Sequence, residues 1–135
     1  RIQDEKLKLN NFLKKNKNKK IIGYGASTKG NIVLNHCNIN NSKLNFICDA
    51  NKIKIGLFTP GTNVKIISKE KMRKLKPDFL LVLIWPFRNE IIKQEIEFIK
   101  SGGKLVFYLP KFHIVDKRNF KLYLKSSFKK LSYKY

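Results

Sequence analysis

The apolar positions of the chain change their period several times, and each change predicts a new element. Over residues 4–15, Leu9, Phe12 and Leu13 fall at i, i+3 and i+4 among lysines, the pattern of an amphipathic helix lying on a domain. NKNKK ends it, and KKIIGYG then runs apolar as a buried strand does. TKGNIVLNHC follows as a helix, with Ile32, Val33 and the edge from Leu34 to Cys37 facing inward and Ser27 or Thr28 placed to cap it. LNFICD is a second strand that ends in an aspartate. A polar, glycine-containing stretch, ANKIKIGLFTPGTN, separates it from the short strand VKII, after which Ser68 opens the helix SKEKMRKL. PDFLLVLI is a continuous apolar run of the kind covered on both faces in a parallel sheet, so it belongs at the centre. EIIKQEIEFIK carries Ile92, Ile96 and Ile99 at helical spacing and stops at the SGG cap, and KLVFYLP is the closing strand.

Strands alternating with helices predict an α/β fold: an open, mostly parallel sheet with helices on both faces and right-handed crossovers. The 135 residues suffice for one unit with its own core. Residues 1–19 read as a leading amphipathic helix and linker, 20–110 as the α/β domain, and 111–135 as a basic aromatic tail. That tail, NFKLYLKSSFKKLSYKY, is expected to be a final helix whose Phe120, Leu124 and Phe128 cover the sheet. The competing reading is an arm that stacks its rings on bases and sets its lysines on phosphates. The sequence opens on Arg1 inside a helical pattern, which leads us to expect a piece of a longer protein.

A formal charge of +21 ordinarily points to a polyanionic partner. Here the lysines are spread along the whole chain beside many asparagines, which is what an AT-rich coding sequence would impose. Compositional bias is therefore preferred to nucleic-acid binding. The longest apolar run, FLLVLIWPF, has nine residues, against about 20 for a membrane-spanning helix, so no membrane segment is expected. Cys37 and Cys48 form neither a disulfide framework nor a metal-ligand cluster, and His36 and His113 stand alone; reduced thiols, a cytoplasmic location and no metal follow as expectations.

The glycine turn IIGYGASTKGN carries the chemistry. In dinucleotide-binding folds the first glycine makes the tight turn and the second lets the backbone approach a pyrophosphate at the helix N-terminus. Gly23 and Gly25 fit those roles. The third glycine is due where Thr28 stands, and Gly30 comes two residues late. Asp49 sits about 20 residues on, where a ribose-binding acid would be. The expected architecture is therefore Rossmann-like, and an NAD(P)-binding domain is one reading of it.

Four motifs in order, GYGASTKGN, CDANKIKIGLFTPGTNVKI, KPDFLLVLIWPFRNEI and SGGKLVFYLP, resemble the C-terminal domain of the sugar C-methyltransferases, over about Lys20 to Pro110. The resemblance implies an enzyme with an N-terminal zinc-binding region, a middle domain that binds S-adenosylmethionine, and this domain holding a nucleotide-linked keto-deoxysugar. Neither zinc cysteines nor a methyl-donor motif occurs between Arg1 and Tyr135, so the segment alone is expected to be inactive and to position substrate. The catalytic residue stays unassigned. Gly25, Ala26, Ser27 and Thr28 would then offer donors to the diphosphate, with charge from Lys29. FTPGT, with Thr59, Gly61 and Thr62, would supply a stiff hydroxyl-bearing turn. Trp85 would stack on a base or sugar and Arg88 would fork onto a phosphate at the sheet edge. For each of these loops a purely structural role stays open: a plain β-turn, an apolar lid, a solvated first-turn arginine. A nucleic-acid-binding module is the remaining alternative.

Overall fold

The computed structural model describes residues 2–125. In chain order the elements are α1 (Ile2–Lys15), β1 (Ile21–Tyr24), α2 (Thr28–His36), β2 (Phe46–Cys48), β3 (Lys65–Ile67), α3 (Lys69–Leu75), β4 (Phe79–Val82), α4 (Arg88–Gln94), α5 (Ile96–Lys100), β5 (Lys104–Phe107), β6 (His113–Val115) and α6 (Phe120–Lys125). The sheet order is β3-β2-β1-β4-β5-β6. All neighbours are parallel except β5 and β6, which pair antiparallel with Phe107 opposite His113.

The expected Rossmann-like sheet is present, with β1 and β4 side by side at its centre. PDFLLVLI earns that place through burial on both faces: Leu80, Leu81 and Val82 are all buried, as are Leu105, Val106 and Phe107 of β5. Strand order runs one way from β1 to β3 and the other way from β4 to β6. Right-handed crossovers then send α2 to one face and α3 and α4 to the other, leaving a gap where the order reverses.

Three elements differ from the sequence reading. Ile32 points outward, 57% exposed, while Val33, Leu34 and Cys37 form the buried stripe of α2. EIIKQEIEFIK is two short helices joined at Glu95, because that carboxylate is drawn fully into the protein by partners on β1 and α3. Past Pro110 the chain adds an antiparallel edge strand, β6, and then α6. Of the predicted tail helix, Phe120 is buried and Leu124 packs on the core, whereas Phe128 lies outside the described residues.

The first helix is tied to β4 and to the segment leading into β6. Glu5 accepts a hydrogen bond from the Phe112 amide at 2.6 Å, and Phe12 meets Phe79 edge-to-face at 4.9 Å. At the opposite border the loop after β2 folds back along β3: the Gly56 amide donates to the Ile66 carbonyl and the Ile66 amide to the Leu57 carbonyl, both at 2.9 Å.

Candidate functional site

At the carboxyl ends of β1, β2 and β4, where the strand order reverses, lies a crevice of about 450 Å³. This is where open α/β sheets bind ligands. Gly25, Asp49 and Ala50 form one wall, Ile84, Phe87 and Ile91 an apolar one, and Tyr24, Lys69, Glu90 and Gln94 a polar one.

The glycine turn is shaped as its sequence requires. Gly25 has φ +98°, and a Cβ there would come within 2.8 Å of Ile84. Gly30, two positions late by spacing, still does the packing work of a third glycine, since a Cβ on it would lie 2.5 Å from the Gly25 carbonyl oxygen. Ser27 caps α2 by accepting the Gly30 amide at 3.1 Å. Several turn amides are already engaged within the protein. The Gly25 amide donates to the Cys48 carbonyl at 2.9 Å, and the Ala26 amide donates to Asp49 at 2.8 Å. Asp49 also accepts the Asn51 amide at 2.8 Å, so it ties the turn to the loop after β2. Thr28 and Lys29 stand exposed on the first turn of α2.

Of the residues that the sequence singled out, Gly25 and Asp49 meet in the crevice. Gly23 is buried in β1 against Ile47 and Leu44. Ala26, Ser27, Thr28 and Lys29 flank the crevice in sequence without lining it. Thr59, Gly61 and Thr62 are not brought there: their turn precedes β3 and so lies toward the amino ends of the strands. Thr59 and Thr62 are buried with their hydroxyls 2.6 Å apart, and Thr59 Oγ1 also accepts the Val64 amide. This bonding makes the turn an internal brace. Trp85 is buried in the core, with 2% of its surface exposed, and presents no open face for stacking. Arg88 is buried too, with Nη1 at 3.2 Å from His113 Nε2 and its guanidinium over the Tyr123 ring. It serves the packing of β6 and α6.

The sequence reading missed the polar wall. Tyr24 donates its phenolic hydrogen to Glu95 Oε2 at 2.8 Å, and Arg73 forks onto both Glu95 oxygens at 2.7 and 2.9 Å. Burial, followed by the Glu95 carboxylate, holds the Tyr24 phenol far above its ordinary range, so it is a constant donor. Burial likewise pushes the Cys48 thiol beside it up to about 12. In front of this buried group, Lys69 Nζ lies 4.8 Å from the Tyr24 ring centre and donates to Gln94 Oε1 at 3.2 Å. Nothing local in the sequence announces these contacts, which join residues 22 to 71 positions apart.

The fold thus defines a Rossmann-like domain with a crevice where its strand order reverses. The sequence profile of the C-methyltransferase C-terminal domain matches residues 1–110, and the chain belongs to that family. It is 34% identical over 98 residues to the C-methyltransferase NovU of Streptomyces niveus, an alignment covering 73% of this chain and 23% of that protein. The chain therefore corresponds to about a quarter of the curated relative it matches. No helix among the described residues is long and apolar enough to cross a membrane.

Methyltransferases of this kind take their methyl group from S-adenosylmethionine.

Proposed function

We propose that this chain is the substrate-holding domain of a cytoplasmic C-methyltransferase acting on a nucleotide-linked keto-deoxysugar, with the methyl donor bound by another part of the same protein. The observation that carries the reading is the crevice at the strand-order reversal, in a chain of this family, with both apolar and hydrogen-bonding walls. The diphosphate would lie toward the exposed first turn of α2, where Thr28 and Lys29 stand. Its role in catalysis is to fix the sugar carbon in attack geometry, an effect worth on the order of 7–11 kcal/mol of barrier in favourable cases.

A dinucleotide reading draws on the strand order and on an acid at the end of β2. Against it, Asp49 is spent on holding the glycine turn to the next loop. Isothermal titration distinguishes the two. Sugar nucleotides bind and NAD(P)H does not on the proposed reading, and saturable NADH binding with no response to any sugar nucleotide would sink it. Affinity for a short RNA that falls steeply with salt would instead point to a polyanion-binding protein.

A further inference from the structure

Within that sugar-nucleotide reading, on which this inference rests, we infer that the crevice receives the sugar ring and not the diphosphate, and that Lys69 is the residue that donates to a sugar oxygen there. The charge on the walls comes first. Asp49 and Glu90 line the crevice against a single cationic lining residue, Lys69. A diphosphate carrying two negative charges would face a surplus of carboxylate in a partly enclosed space, where like charges repel most strongly. An uncharged, hydroxyl-bearing ring meets no such penalty, and its hydroxyls give Glu90 and Gln94 something to bond.

The shape of the walls agrees. Ile84, Phe87 and Ile91 make an apolar shelf, and Phe87 is 55% exposed beside the crevice. A hexose ring presents just this pairing, an apolar face of C–H bonds and an edge of oxygens.

Lys69 is held, as Lys20 is by the Leu75 carbonyl and Lys54 by the Ala26 carbonyl, and of these three it is the one that lines the crevice. Its ammonium rests over the Tyr24 ring and bonds Gln94, and Tyr24 is in turn fixed by Glu95 and Arg73. Two donor hydrogens remain on the ammonium after the Gln94 bond. A donor positioned in advance loses little freedom when a ligand oxygen arrives. Tyr24, Glu95 and Arg73 are positioning residues for it.

The test compares UDP-glucose and dTDP-glucose with UDP and dTDP by isothermal titration on the full chain. Lys69→Met is expected to weaken both sugar nucleotides by about ten- to a hundredfold, the range for losing a hydrogen bond to a charged group, and to leave UDP and dTDP within about twofold. Glu90→Lys, an exposed change, provides a second readout: it weakens the sugar nucleotides and does not tighten UDP or dTDP. Equal losses for both ligand types in Lys69→Met, or a marked gain in UDP and dTDP affinity with Glu90→Lys, would place phosphate in the crevice and overturn the inference. So would unchanged binding of all four ligands by a folded Lys69→Met chain. If the unmodified chain binds none of the four, the sugar-nucleotide reading itself fails and takes this inference with it.

Discussion

The two edges of the sheet carry two cavities of opposite character. The carboxyl edge holds the crevice of about 450 Å³, and the amino edge a larger cleft of about 530 Å³. Lys14, Lys17, Lys19, Lys20 and Lys43 rim the larger one over an apolar floor that includes Leu13 and Phe46. By size and by charge it is the more conspicuous. Among the described residues the ammonium of Lys20 is fastened there by a 2.6 Å bond to the Leu75 carbonyl, with its amide on Asp78, while Asn10, Asn16 and Ser42 bond only to near neighbours in the chain. In the smaller crevice the lining Lys69, Gln94 and Tyr24 are bonded to one another and to the buried Glu95, which Arg73 also grips. What separates the two is a network of side chains from several elements, Lys69, Gln94, Tyr24, Glu95 and Arg73, bonded to one another, which volume does not report.

That contrast can be broken most forcefully at Glu95. Glu95→Ala leaves the buried Tyr24 hydroxyl and the Arg73 fork without their acceptor and opens a small void. A loss of about 2–4 kcal/mol is expected in urea unfolding, discounted from a fully buried pair because Arg73 is half exposed and can turn to water. A loss below about 0.5 kcal/mol would mean that the polar wall is not braced.

Gly30→Ala should cost about 1–3 kcal/mol despite the better helix propensity of alanine, since the new methyl would press on the Gly25 carbonyl and the backbone must shift. Thermal melting measures it, and a stabilised variant would show that α2 does not sit tightly on the turn.

His113 gives a pH dependence. It is stacked on Phe107, its Nδ1–H donates to the Lys111 carbonyl, and Nε2 faces Arg88. Burial, with a smaller push from Arg88, holds its pKa below 6.5, although the Lys111 bond works in the opposite direction. A depressed pKa in the folded state means that the unfolded chain takes up the proton first. This contribution to stability is therefore complete above about pH 6.5 and is lost as the pH falls toward the folded value. His113→Phe should flatten that part of the profile in urea melts taken between pH 7.5 and 5. An unchanged slope would show that another group is responsible.

The smallest effect belongs to the amino-edge cleft. Changing Lys14, Lys17 and Lys43 together to glutamine should alter stability by no more than about 0.5 kcal/mol and leave sugar-nucleotide affinity within about twofold. A tenfold loss of that affinity would reverse the ranking of the two edges.

The sheet was legible because its signal is local. PDFLLVLI and KLVFYLP are apolar enough to demand burial on both faces, and the glycine turn needs its positive φ wherever it stands. The third strand and the cap of α3 at Ser68 followed from short-range chemistry of the same kind. The site was legible only where it coincided with that chemistry, at Gly25 and Asp49. Tyr24 reads as one more apolar residue of β1, and Glu95 as a solvated position of an amphipathic helix, until the fold sets Arg73 beside them. Conversely, Thr59 and Thr62 promised free hydroxyls, but two hydroxyls three residues apart in a Pro-Gly turn can satisfy each other, and here they do. Arg88 was drawn inward by His113 and Tyr123, partners from a part of the chain whose strand the periodicity did not reveal.

The fold-back of the loop onto β3 carries a consequence for solubility. A bare outer strand offers a row of amides and carbonyls on which another molecule can template a growing fibril. Here Gly56 occupies the carbonyl of Ile66 and Leu57 its amide, and the Thr59 amide takes the Val64 carbonyl, so that border is quenched from within.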